Sequence, residues 1–337
     1  DSLTGGTASA SASRNASVAV STDEYLEVAG WQLSMDEVEV KAKLGEGATS
    51  FVYYGIYRHQ PVAIKELKAS PSAQRLADFK RECEIMARVR SPQLVYFYGV
   101  VLQPRVSIIL EYCAHGSVYT VMRDKYEQVD WTRALRFAVQ AADGLKCLHG
   151  WKPQIVHRDL KSDNLMIDDK WTVKLGDFGI ARYLEADTRV TLQRMRGTYA
   201  YLAPEVYLGE GSYAPESDVY SFGIILWELV NRCMTGAYAP PYHREYNITH
   251  EFQIIVLAAE QGKRPRLPEK PAPPAQLVTL IERCWDAQRD NRPSALELAV
   301  LLKRLEAEHI KQPKDWNKLL GKAKKLTKEG KKADVGA

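Results

Sequence analysis

His157-Arg158-Asp159-Leu160-Lys161-Ser162-Asp163-Asn164, followed after a short interval by Asp177-Phe178-Gly179, is the stretch on which the reading of this chain turns. Phosphoryl transfer from ATP needs oxygen ligands for magnesium, a carboxylate to orient the attacking hydroxyl, and cations to meet the charged phosphoryl group. Asp159, Lys161, Asn164 and Asp177 supply all three within this one span. Either segment alone is short enough to arise by chance, so the surrounding residues decide.

Upstream, Gly45-Glu46-Gly47-Ala48-Thr49-Ser50-Phe51-Val52 lies between two strand-like runs. Glycines there let backbone N–H groups approach a phosphate chain, although Gly-rich turns occur in every fold class. Val62-Ala63-Ile64-Lys65 follows. A lysine inside a buried strand pattern is costly unless it meets an anion, and Glu82 on the next helical stretch, or a phosphate, would serve. Taken alone, a strand-end lysine that reaches solvent is the plainer reading.

The 337 residues are 45% hydrophobic and 26% charged, which suffices for a sizeable core or for two lobes sharing an interface. With 46 basic against 42 acidic residues, the balance implies neither nucleic acid nor a membrane surface as partner. Five scattered cysteines without a CxxC pair fit reduced thiols better than a disulfide framework. No run approaches the ~18 apolar residues of a membrane span, and no basic-then-apolar leader opens the chain. The expectation is a soluble, cytoplasmic protein that binds no nucleic acid.

Apolar residues mostly alternate from Val38 to Leu110, with one helical interruption, LADFKRECEIMARV, where Leu76, Phe79, Cys83, Met86 and Val89 recur at helical spacing. After Gly116 the pattern is mainly helical. This predicts an α+β chain: a disordered Ser/Ala/Thr leader over 1–24, a small β-rich lobe over 25–110 with Trp31 and Leu33 as first anchors, a link at 111–116, a larger helical lobe over 117–309, and a basic tail over 310–337.

Taken together, the motifs resemble the eukaryotic protein kinase family. The glycine loop, VAIK, a helix Glu, HRDLKSDN, DFG and Ala203-Pro204-Glu205 stand in the family's order and spacing, joined by Asp218 in DVYSFG and Arg292 in DNRPS. The resemblance covers roughly Val38 to Leu305. It implies a bilobal protein kinase fold with the active site between the lobes, ATP and Mg2+ as cofactors, and protein substrates. It also implies that Lys65 holds the α- and β-phosphates and pairs with Glu82, that Asp159 accepts the hydroxyl proton, and that Lys161 neutralises the transferred phosphate. Asn164 and Asp177 would bind magnesium. Gly45 and Gly47 would cover the phosphates, with Val52 and Ala63 over adenine and Met166 beneath it. Leu110 falls at the gatekeeper position, and Glu111 to Cys113 would offer backbone hydrogen bonds to the adenine edge. Ser50 replaces the family's usual third glycine; a non-Gly residue pays sterically at φ > 0, so a stiffer loop is expected. Glu205 and Arg292 read as a buried ion pair serving the fold.

Lys161, and Gly197-Thr198-Tyr199 ahead of Pro204, resemble serine/threonine kinases, with Thr198 placed to bond Asp159 or Lys161. SDVYSFGIILWEL and ERCWDAQRDNRPS resemble the tyrosine kinase side. That mixture is similar to the tyrosine-kinase-like group of serine/threonine kinases; dual specificity, tyrosine specificity and a nucleotide-binding scaffold are the alternatives. Arg158 often meets an activation-segment phosphate in the family, and here Thr188 and Thr191 within 177–205 are the best-placed hydroxyls; exposed loop threonines are the plainer reading. In the tail, Trp316, Leu319, Leu320, Ala323 and Leu326 recur at helical spacing among lysines. Such a stripe can lie on an anionic membrane or fill a partner groove; more often it docks on its own domain.

Overall fold

A computed structural model describes residues 30–47, 50–68, 83–177, 182–183, 199–209 and 213–320. The predicted leader, Leu76, Phe79 and the tail from 321 onward lie outside them. Strands β1 (Val38–Glu46), β2 (Ser50–Tyr57), β3 (Gln60–Leu67), β4 (Phe97–Val101) and β5 (Ser107–Glu111) form one antiparallel sheet in the order β1-β2-β3-β5-β4. The alternation has its usual physical cause, successive side chains on opposite faces. Val62 and Ile64 of β3 are buried with Val38, Tyr57, Val101 and Ile109, whereas Ala63 and Lys65 between and after them are only partly buried.

The outer edge of β4 is covered by the chain's own entry segment. Leu33 N donates to Val100 O at 2.7 Å and Val100 N to Trp31 O at 2.8 Å, while the Trp31 ring meets Phe97 edge-on at 6.2 Å. An unpaired edge is a template for unwanted strand addition, and Trp31 and Leu33 close it. Residue 99 must be glycine, because a Cβ there would lie 2.3 Å from Trp31 O.

The helical lobe contains α1 (Val118–Arg123), α2 (Trp131–His149), α3 (Pro204–Leu208), α4 (Pro215–Thr235), α5 (Phe252–Ile255), α6 (Ala275–Cys284), α7 (Ala295–Lys311) and α8 (Pro313–Lys318). Asp130 caps α2 by accepting from Arg133 N at 2.9 Å, satisfying one of the helix's orphan donors. Ala134, Leu135, Ala138, Ala141, Ala142, Leu145 and Leu148 of α2 are buried at helical spacing. Helix α4 runs through the centre of the lobe and is buried from Ser217 to Met234. One continuous apolar cluster joins Cys83, Met86 and Phe97 of the small lobe to Leu302 and Leu320 of the large one.

Two short antiparallel strand pairs complete the frame: β6 (Ile155–Val156) with β9 (Arg182–Tyr183), and the hairpin of β7 (Leu165–Ile167) with β8 (Val173–Leu175). They place Asp159 to Asn164 between β6 and β7, and Asp177 just beyond β8. At the far end, Arg292 grips Glu205 through two hydrogen bonds of 2.7 and 2.9 Å, with the Arg292 side chain fully covered. That is the buried pair expected from the sequence. The beginning of the tail packs on the domain itself: Trp316 and Leu320 are buried, and the Trp316 ring meets Trp131 edge-on at 5.2 Å. Ala323 and Leu326 lie outside the described residues. Among the described residues no helix is long and apolar enough to cross a membrane.

Candidate active site

Three side chains of the loop between β6 and β7 close on one another. The Asp159 carboxylate accepts from Lys161 Nζ at 2.9 Å and from Asn164 Nδ2 at 3.0 Å. Asn164 Nδ2 also donates to the Asp159 carbonyl at 2.7 Å. With the amide nitrogen engaged twice, Oδ1 is the Asn164 atom suited to a cation. From the small lobe, Lys65 Nζ reaches across to Asp177 Oδ1 at 2.8 Å. The Lys65 charge holds the Asp177 carboxyl down to about 2, so this half-exposed group is ionised throughout the physiological range.

Asp218 fixes that loop from below. Its carboxylate accepts from His157 N at 2.8 Å, Arg158 N at 2.9 Å and His149 Nε2 at 2.8 Å. Burial alone would raise the Asp218 carboxyl, but the His149 hydrogen bond and the two histidines outweigh it and keep it below its ordinary value. His157 Nε2 lies 3.0 Å from Gly176 O; a carbonyl only accepts, so this nitrogen carries the proton. Gly176 N in turn donates to Asn164 O at 2.9 Å. One buried acid thereby ties the Asp159 loop to the residue preceding Asp177. Arg158 is buried, with its guanidinium 5.6 Å from the Tyr213 ring centre.

Above the loop, Val52 pairs in register with Lys65, and Ala63 with Leu110. Val52, Ala63, Leu110 and Met166 are partly exposed, whereas Val62, Ile64, Ile109 and Ile167 beside them are buried. Glu111, at the end of β5, is pinned by Lys174 at 2.9 Å and by Tyr96 N at 3.1 Å. Cys113 O accepts from Gly116 N at 3.1 Å, and burial pushes the Cys113 thiol up to about 12, so it stays protonated. The expectation for Ser50 is corrected. It is a buried β2 residue opposite Leu67, in extended backbone, and Gly47 N donates to its carbonyl at 2.8 Å. No left-handed penalty arises there.

Glu82, Thr188, Thr191 and Thr198 lie outside the described residues. Sequence reasoning missed the role of Lys174, of His149 beneath Asp218, and of Glu228, which accepts from Ser162 and Tyr201. Only Glu228 carried a signal: an acid in the apolar helical run GIILWELV, which must find partners if buried.

The profile of the protein tyrosine and serine/threonine kinases matches residues 38–302. The chain belongs to that family. It is 44% identical over 285 residues to the stress-activated protein kinase alpha of Dictyostelium discoideum, covering 85% of this chain and 44% of the relative. A probable serine/threonine-protein kinase of the same organism is 41% identical over 298 residues, covering 88% of this chain and 35% of the relative. A probable tyrosine-protein kinase, also from Dictyostelium discoideum, is 33% identical over 314 residues, covering 87% of each. The chain therefore spans less than half the length of the first two.

The kinase's residues fit a magnesium nucleotide. Among the described residues no cluster of three or more His, Cys, Asp or Glu would cage a metal alone. Magnesium suits such a site, because it is usually held by one or two side-chain oxygens together with substrate phosphates and water. Asn164 and the ionised Asp177 offer those oxygens. Bound there, the ion would neutralise charge on the phosphates. Lys65 and Lys161 add the cations, and the partly exposed Val52, Ala63, Leu110 and Met166 would suit a flat base.

Proposed function

We propose that this chain is a catalytically active kinase that uses ATP and Mg2+ to phosphorylate serine and threonine hydroxyls of protein substrates, acting in cytoplasmic signalling. The observation that carries the reading is the closed Asp159–Lys161–Asn164 set beside the Lys65–Asp177 pair. A scaffold would have no need of all five groups in hydrogen-bonded register. In the proposed reaction Asp159 orients the attacking hydroxyl and takes its proton. Lys161 meets the transferred phosphoryl charge, and Lys65 holds the remaining phosphates against Asp177. The work is positioning and electrostatics.

Serine/threonine specificity rests on Lys161 and on the names of the first two relatives. The mixed motifs support placement in the tyrosine-kinase-like group. Dual specificity is the second reading, favoured by the tyrosine-protein kinase that matches along 87% of its own length. Phosphorylation of Thr188 and Thr191 is proposed as the control, since a phosphate adds about −1.5 to −2 charges that the Arg158 guanidinium could meet.

Purified protein incubated with magnesium-ATP, then read by intact mass and peptide mapping, tests all of this at once. Phosphate on serine and threonine in the wild type, including Thr188 or Thr191, and none in Asp159→Asn or Asp177→Asn, is the expected outcome. Phosphotyrosine alone would overturn the specificity. Binding of nucleotide with no transfer to itself or to casein would replace the enzyme with a scaffold.

A further inference from the structure

Glu228 sits in the middle of α4 with 1% of its surface exposed. Three hydroxyls from three separate segments converge on its carboxylate. Tyr238 Oη donates to Oε1 at 2.9 Å, Ser162 Oγ to Oε1 at 3.2 Å, and Tyr201 Oη to Oε2 at 2.9 Å. Ser162 Oγ and Tyr201 Oη stand 3.1 Å apart, so the four groups form one cluster. Its hydrogen-bond partners among the described residues are these neutral hydroxyls, without a salt bridge. Burying a carboxylate this way is expensive, and a Leu at the same helical position would serve packing better.

The three segments are those the proposed reaction depends on. Ser162 lies between Lys161 and Asn164 in the loop that carries Asp159. Tyr201 belongs to the turn that ends the activation segment, and it lines one small cavity with Asp159, Arg158 and Ala203. Tyr238 closes the cluster from the loop after α4. We infer that Glu228 is a positioning residue for phosphoryl transfer, holding the Asp159 loop and the Tyr201 turn in fixed register through one shared carboxylate. This rests on the protein kinase reading.

The ionised carboxylate accepts all three hydroxyls. The protonated acid turns one oxygen into a donor, so the hydroxyls compete for fewer lone pairs. The groups facing it are Tyr201, Tyr238 with Tyr119 behind it, and Asp163 on the catalytic loop. Burial pushes the Glu228 carboxyl up, the Tyr238, Tyr201 and Ser162 hydrogen bonds oppose this, and Asp163 adds to it, leaving it at about 7. Both tyrosines are raised by burial and by Glu228 itself, and remain donors.

The test is steady-state transfer to casein by the full chain from about pH 6 to pH 8.5, with Asp159→Asn as the inactive control. The wild type should lose turnover as pH falls through about 7. Glu228→Gln should lower kcat by about tenfold to hundredfold above pH 7, leave KM for magnesium-ATP unchanged, and abolish that acid limb. Tyr238→Phe removes one donor and should move the limb to higher pH while keeping the fold. Wild-type kcat and an unchanged pH profile in Glu228→Gln overturn the positioning role alone. If Glu228→Gln fails to fold, an unmoved limb in Tyr238→Phe overturns it instead. An inactive wild type overturns the kinase reading, and the positioning role with it.

Discussion

Arg158 and Asp177, on either side of the reacting groups, hold left-handed backbone angles, with φ of 68° and 54°. Such angles cost about 1–3 kcal/mol each and persist only where the surroundings over-determine them. Here the Arg158 N–H is fixed by Asp218, and the Asp177 carboxylate by Lys65. Lys65→Met therefore has two expected consequences. Transfer falls by about a hundredfold or more, because the cation aimed at the phosphates is gone. The Asp177 carboxyl also rises from about 2 toward its ordinary 3.8. A depressed acid contributes stability above its unfolded value and loses it as pH falls through the folded value, so the variant should start its acid unfolding at higher pH. Carboxyl NMR titration of Asp177 checks this, and an unmoved curve would mean that another charge holds it down. The chemistry of Asp159, Lys161 and Asn164 was legible because they share one short loop and cannot lie far apart. Lys65 and Asp177 are 112 residues apart; the resemblance assigned both to the magnesium nucleotide but paired Lys65 with Glu82, so their direct contact was not legible. Glu228 stayed hidden, since an acid within an apolar run does not announce its three partners.

Helix α2 was readable because its apolar residues repeat with the helix period over many turns, and α4 because its dense apolar run is too long for a strand. The two-residue strands β6 and β9 were not, since no alternation can show in so short a run. The tail's stripe suggested one amphipathic helix; among the described residues α8 ends at Lys318, Trp316 and Leu320 are buried, and Leu319 packs against the same core. The packing of α4 on α6 yields a sharper expectation. A Cβ on Gly223 would lie 2.8 Å from Cys284 Cβ and 3.3 Å from Trp285 N. Alanine is the better helix former by about 1 kcal/mol, but overpacking a closed core costs about 1–3 kcal/mol. Because the nearest atoms are a Cβ and a backbone nitrogen, neither can swing aside. Gly223→Ala should thus lower the melting temperature despite its propensity gain. An equal or higher melting temperature would mean that the two helices separate easily.

Across the whole molecule, buried acids respond to pH in opposite directions. For Asp218 and Glu205 burial raises the carboxyl, but His149 and Arg292 respectively outweigh it, so both lie below their ordinary values. Their stabilisation is present above those ordinary values and is lost on acidification. Glu228 runs the other way, raised from 4.5 to about 7 by burial. Between those two values the unfolded chain has lost the proton that the folded chain keeps. Glu228 therefore removes stability as pH rises through that window, on the order of 3 kcal/mol at most once pH exceeds 7. His309, lowered from 6.5 by burial, offsets part of this by favouring the folded state as pH climbs. The difference between wild type and Glu228→Gln cancels His309 and every other shared group. Glutamine has no proton to lose, so its melting temperature should gain on the wild type by several degrees from about pH 5 to pH 8. Calorimetry across that range decides it: a flat difference would mean that the buried carboxylate finds a compensating charge. A variant that melts higher and turns over more slowly would mark Glu228 as a group kept at the expense of stability because transfer requires it.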